Sequence, residues 1–121
     1  QIFASHGPVR ALAPPALAGE RFDLVINATS SALTSAAAAD PLWPDAIFAD
    51  VALAYDLMYA PEPTAFLRWA RAHGARRAAD GFGMLLEQAA ESYLIWRGVR
   101  PDTAPVYALM RGSRRPDAHA A

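Results

Sequence analysis

The sequence predicts an α/β fold built on a parallel sheet. Two apolar runs with strand character, Phe22 to Ala28 and Val51 to Tyr55, alternate with two helical patterns, Thr64 to His73 and Ala79 to Gly98. The runs are apolar at successive positions, as in Leu24-Val25-Ile26, and this predicts strands buried on both faces of a parallel sheet. Each run ends in small, polar or glycine residues, and the carboxyl ends of parallel strands are where such sheets bind ligands.

Taken in order, Gln1 to Gly7 reads as the last turn of a helix, with His6 followed by Gly7 as a stop signal. A chain that begins inside a helical pattern is expected to be preceded by further sequence. Val9 to Ala13 is a strand candidate ended by Pro14-Pro15, and Ala16 to Glu20 has room for one helical turn. Phe22 to Ala28 is the best strand in the chain. Ala32 to Pro44, rich in Ala, Ser and Pro, predicts an irregular loop, and Asp45 to Phe48 another turn. Val51 to Tyr55 is the next strand, broken off by Pro61 and Pro63. In Thr64 to His73, Phe66, Leu67, Trp69 and Ala70 form the apolar stripe of a helix, closed by His73-Gly74. Arg76 to Ala79 is a short strand that feeds the Gly81 turn. The long helix stops at Gly98, and Asp102 or Thr103 caps a last helix with Pro105 in its first turn. Residues 1–112 are expected to form one unit, with 113–121 as a frayed tail.

Composition narrows the function. The 121 residues are 54% apolar and 19% charged, enough for one small domain with a core. No apolar run reaches membrane-spanning length, so the chain reads as a soluble, cytoplasmic protein. There is no cysteine, and His6, His73 and His119 have no ligand spacing, so no metal site is expected. A net charge of -1 offers no electrostatic footprint for nucleic acid. All eleven basic residues are Arg. A lysine base or Schiff base therefore cannot come from these residues.

Three strand ends line one crevice if the strands are adjacent. The first presents Asn27, Thr29, Ser30 and Ser31, the second Asp56, Leu57 and Tyr59, the third Asp80, Gly81 and Gly83. Thr29 and the serines suit either a turn cap or a ligand contact, and Tyr59 suits either packing or a site. Asp56 and Asp80 read as turn residues, Arg76-Arg77 as a solvated pair, and Trp43, Trp69 and Trp96 as packing. Gln88 stands one helical turn after Met84, on the same face of the long helix. No GxGxxG motif, Gly-Lys-Thr loop, Ser-His-Asp spacing or HExxH motif occurs. Pattern alone supports half of a nucleotide-type α/β domain.

Four blocks go further: Phe22-Asp-Leu-Val-Ile-Asn-Ala-Thr-Ser-Ser, then Tyr55-Asp-Leu-Met-Tyr with Pro61 and Thr64-Ala-Phe-Leu, then Asp80-Gly-Phe-Gly-Met-Leu-Leu-Glu-Gln-Ala-Ala, then Trp96-Arg-Gly with Pro101. In order and spacing they resemble the C-terminal portion of the NADP-dependent shikimate dehydrogenases. The resemblance covers all but the tail, and the third block is distinctive. It implies the later part of a Rossmann-type NADP-binding domain with three to four mostly parallel strands and closing helices. It also implies a reaction, the reduction of 3-dehydroshikimate to shikimate by NADPH in aromatic amino-acid biosynthesis. Leu57 and Gly81 are implied to lie near the nicotinamide with Thr29 and Met84 close by, and Tyr59 and Gln88 to reach the substrate.

The family often has Met at the place of Leu57, a change a backbone contact survives, and usually Gly at that of Ala32, so the loop after Ser31 is expected to differ in shape. The glycine-rich phosphate loop and the catalytic Lys-Asp pair are implied to precede Gln1, which predicts an inactive fragment. The alternatives are a quinate/shikimate paralogue using NAD and a non-catalytic ligand-binding or interaction domain. In the usual strand order, Phe22–Ala28, Val51–Tyr55 and Arg76–Ala79 are neighbours. Val9–Ala13 would have lost the strands beside it. The chain is then expected either to move that strand onto the bare edge of 22–28 or to self-associate there.

Overall fold

The computed structural model describes residues 7–29 and 43–112, with Arg111 described through its backbone alone. The expectations for the opening helical turn, Ser30, Ser31, most of the Ala32–Pro44 loop and the 113–121 tail lie outside these residues. The elements run as a 3₁₀ turn (Pro14–Leu17), β1 (Phe22–Asn27), β2 (Phe48–Asp56), α1 (Ala65–Ala72), β3 (Arg77–Ala79), α2 (Phe82–Arg97) and α3 (Ala104–Gly112). Among them no helix is long and apolar enough to cross a membrane.

The three strands form one parallel sheet in the order β1-β2-β3. Leu24 pairs with Leu53, Val25 with Ala54, Ile26 with Tyr55 and Asn27 with Asp56, while Ala54 pairs with Ala78 and Tyr55 with Ala79. All three strands therefore end on the same edge. β2 is the central strand and starts earlier than its apolar run, because Phe48 already pairs with Phe22. The turn expected at Asp45–Phe48 is confined to Asp45 and Ala46.

α1 covers one face of the sheet. Thr64 caps it, its side chain accepting a hydrogen bond from the Leu67 N–H at 3.3 Å. At the other end Gly74 takes a left-handed φ of 102° after His73. Phe66, Leu67 and Ala70 point at the sheet and are buried with Ile47, Phe48, Ala52, Ala54 and Ala75. The alanines of β2 let the helix come close, and each fully buried Phe or Leu contributes about 1.5–3 kcal/mol. Trp43 and Trp69 close this core as expected: their rings lie 4.8 Å apart, and Trp43 meets Phe66 edge-on at 5.1 Å.

Three expectations are corrected. Residues 8–13 form no strand, and the chain passes directly into the 3₁₀ turn at Pro14. A strand persists only when its backbone groups find a neighbouring ladder, and Pro8, Pro14 and Pro15 withhold donors on both sides. β1 is not buried on both faces: Val25 turns to the covered face, but Leu24 and Ile26 are 50% and 52% exposed on the other. Trp96 does not pack, being 77% exposed near the end of α2.

Candidate functional site

The edge where the strands end is held together by hydrogen bonds. β1 joins β2 through the Leu57 N–H, which donates to the Asn27 carbonyl at 3.0 Å. β2 joins the turn after β3 through the Gly81 N–H, which donates to the Met58 carbonyl at 3.1 Å. The three ends anticipated from the sequence thus form one continuous edge.

Asp56 is the centre of this edge. It is fully buried, and its carboxyl accepts from Asn27 Nδ2 at 3.2 Å, from the Met58 N–H at 3.0 Å and from the Thr64 hydroxyl. Asn27, also buried, uses Oδ1 to accept from the N–H and the hydroxyl of Thr29, at 3.2 and 2.7 Å. Side chains from the ends of β1 and β2 and the cap of α1 therefore share one network. The turn reading of Asp56 holds, although its reach across three elements exceeds what a turn residue needs. A buried polar group must be satisfied, and every buried side-chain polar atom among the described residues has a partner.

The anticipated cofactor residues divide along this edge. Thr29 stands after β1 with its N–H and hydroxyl both on Asn27 Oδ1, so that Asn27 closes the turn, and Thr29 is exposed at the edge. Leu57 and Gly81 are in contact: a methyl group on the Gly81 α-carbon would lie 2.1 Å from the Leu57 carbonyl oxygen. The glycine is thus required by close approach of two backbones. Asp80 accepts from the Phe82 N–H at 3.2 Å, closing the turn that leads into α2. Met84 lies in the first turn of α2, 41% exposed.

The anticipated substrate residues face solvent. Tyr59 follows β2, its ring 6.0 Å from that of buried Phe82. Gln88 is exposed one turn beyond Met84. Met84 and Gln88 share one face of α2, and Tyr59 approaches the start of the same helix. The arrangement can present an amide and a phenol, both able to donate and accept, beside a surface of backbone and small side chains.

Sequence reasoning missed the contribution of α3. Tyr107, on α3, lies 5.5 Å from the ring of Phe82, with its Cε2 3.8 Å from where a methyl group on Gly83 would sit. Arg100 donates to Glu91 at 2.7 Å and to Glu87, and the Thr103 hydroxyl donates to the second oxygen of Glu87 at 2.6 Å. The signal in the sequence was the Glu87/Glu91 pair at helical spacing, followed by an Arg just past the Gly98 stop.

The family model for the shikimate 5'-dehydrogenase C-terminal domain matches residues 81–111. The NADP(+) shikimate dehydrogenase of Alkalilimnicola ehrlichii is 54% identical over 111 residues, 92% of this chain and 40% of the relative. The Ael1 enzyme of Pseudomonas putida superposes with a TM-score of 0.67 at 49% identity, over 79% of this chain and 34% of that one. A shikimate dehydrogenase solved in complex with NADP+ gives a TM-score of 0.61 at 28% identity, over 82% of this chain and 33% of that one. The chain thus spans about two-fifths of the length of the curated relatives it matches.

Proposed function

We propose that this chain, related in sequence and fold to the C-terminal portion of the shikimate dehydrogenases, forms one wall of an active site that reduces 3-dehydroshikimate to shikimate with NADPH. The observation that carries this reading is the joined edge: Asn27 bound to Leu57, Met58 bound to Gly81, and Leu57 against Gly81, all at the carboxyl ends of parallel strands.

The residues fit the nicotinamide end of the cofactor. Leu57 and Gly81 offer backbone and a side-chain-free surface, and Thr29 and Met84 flank them. NADPH, when bound, supplies the hydride. Leu57, Gly81 and Met84 orient the flat ring and exclude water from it. The Gln88 amide donates to and accepts from substrate hydroxyls, and the Tyr59 hydroxyl adds a further contact. The phosphate-binding loop and the Lys-Asp proton donor are assigned to the preceding portion of the full-length enzyme.

The test is an assay of 3-dehydroshikimate reduction by the 121-residue chain and by a full-length enzyme carrying it. Activity is expected in the second alone. In that enzyme Gln88→Ala should weaken substrate handling by about 1–3 kcal/mol, a loss of roughly 5- to 150-fold in kcat/KM. Unchanged kinetics would remove Gln88 from the site.

A second proposal concerns the chain by itself. Among the described residues β1 forms one outer edge of the sheet, with its own Leu24 and Ile26 exposed on the uncovered face. Since no strand forms in 8–13 to cover that edge, self-association through β1 is the favoured outcome.

A further inference from the structure

We propose that α3 is a brace for the candidate site, with Arg100 and Thr103 fastening it to α2 so that Tyr107 holds Phe82, and Phe82 in turn sets the ring of Tyr59. The role of Tyr59 in substrate contact rests on the shikimate dehydrogenase reading. How Tyr59 is held does not.

The brace begins with Glu87. One carboxylate oxygen accepts from Arg100, the other from the Thr103 hydroxyl, and Arg100 also reaches Glu91 one turn further along α2. A guanidinium is suited to this because its rigid fork can serve two carboxylates at once. Thr103 belongs to both sides of the joint. Its hydroxyl binds α2, and its carbonyl accepts from the Tyr107 N–H at 2.9 Å, opening the first turn of α3. Asp102 adds the cap, accepting from the Ala104 N–H at 3.0 Å. The turn between α2 and α3 is thus fastened at a point from which Tyr107 sits one helical turn away.

Tyr107 then reaches the start of α2. Its ring lies 5.5 Å from Phe82, and Phe82 lies 6.0 Å from Tyr59. Phe82 is buried and follows directly on Gly81, so its ring is anchored at the joined strand ends. The row Tyr107–Phe82–Tyr59 therefore runs from an exposed helix to a residue on the candidate site. The Tyr107 ring lies over Gly83, its Cε2 at ordinary contact distance, 3.8 Å, from the position a methyl group there would take. Arg100, Thr103 and Tyr107 are positioning residues in this arrangement.

The experiment uses the aromatic NMR signals of the tyrosines in the 121-residue chain, with Tyr55 and Tyr93 as internal controls and the β2 and α1 amides as a check on folding. Arg100→Ala is expected to move the Tyr107 and Tyr59 signals and leave those of Tyr55 unchanged. Tyr107→Leu should move Tyr59 in the same way, whereas Tyr107→Phe should leave it in place. If Arg100→Ala does not fold, Thr103→Val cuts the same joint. Tyr59 signals that stay unmoved in Arg100→Ala and Tyr107→Leu would overturn the proposal, as would Tyr107 signals indifferent to Arg100. In a full-length enzyme carrying the chain, Arg100→Ala should raise KM for shikimate about tenfold with KM for NADP unchanged, and an equal rise in both would also overturn it. A full-length enzyme that fails to reduce 3-dehydroshikimate would count against the proposed reaction without altering the ring-signal result.

Discussion

Gly81 stands against the carbonyl group of Leu57 so closely that a methyl group on its α-carbon would lie 2.1 Å from the oxygen and 2.7 Å from the carbon. The φ of Gly81 is -75°, which any residue adopts, so the demand for glycine is steric alone. Both colliding atoms belong to a backbone already tied by the Leu57–Asn27 and Gly81–Met58 hydrogen bonds, and cannot step aside. Gly81→Ala is expected to destabilise the chain by about 3 kcal/mol, visible as a fall of roughly 10 °C in Tm. Gly83→Ala is the contrasting case. Its new methyl group would make ordinary contact with Tyr107, and replacing a helical glycine should raise stability by up to about 1 kcal/mol. Equal thermal shifts for the two variants would refute the steric account.

Asp56 holds the ends of β1 and β2 and the cap of α1 by three separate donors. Asp56→Ala leaves Asn27, the Met58 N–H and Thr64 buried with fewer partners and should cost about 3 kcal/mol or more in urea unfolding. Asp56→Asn keeps one acceptor oxygen, and a smaller loss of about 1–2 kcal/mol is expected. A mutant series in which Ala and Asn behave alike would show that the network contributes little.

The brace between α2 and α3 responds to acid. The Thr103 hydroxyl, and next the Arg100 guanidinium, hold the Glu87 carboxyl below its usual value of 4.5. Arg100 is itself pushed up by Glu91 and Glu87 and stays charged. Because the folded-state value of Glu87 is the depressed one, the contribution of this joint is complete above pH 4.5 and is lost as pH falls through the lower folded value. The protection factors of the α3 amides, which divide out the intrinsic pH dependence of exchange, should therefore stay flat from neutral pH down to about 4.5 and fall only below it. Thr103→Val removes the largest cause of the shift, so its release should come at higher pH. An identical profile for the variant would contradict this.

The outer edge of β1 should make the chain associate. Sedimentation of the 121-residue chain is expected to show concentration-dependent dimers or larger species, and Leu24→Lys with Ile26→Lys should restore the monomer, since charge on an edge strand opposes further pairing. A clean monomer of the unmodified chain at high concentration would remove this proposal.

Local chemistry made much of the fold legible. Thr64 ahead of an apolar stripe marked the start of α1, and His73-Gly74 its end. Gly98, in the left-handed conformation with its N–H on the Leu94 carbonyl, marked the end of α2. The apolar runs around Val25 and Ala54 identified neighbouring strands of a parallel sheet, and with them the edge bearing Thr29, Leu57 and Gly81. What failed was whatever depended on a distant partner. Val9–Ala13 has strand-like residues, but no ladder receives it. Leu24 and Ile26 read as buried on apolar character, but burial requires a second layer. Trp96 read as packing for the same reason.

The sequence by itself determined where helices start and stop, which runs pair as strands, and at which end of the sheet a site can form, because caps, periodicity and breakers act over a few residues. Only the tertiary structure decided that Gly81 meets the Leu57 carbonyl, that Asp56 ties three elements together, and that Tyr107 reaches Tyr59 through Phe82. These contacts join residues between 8 and 29 positions apart, and no local rule reports where two backbones will come to lie.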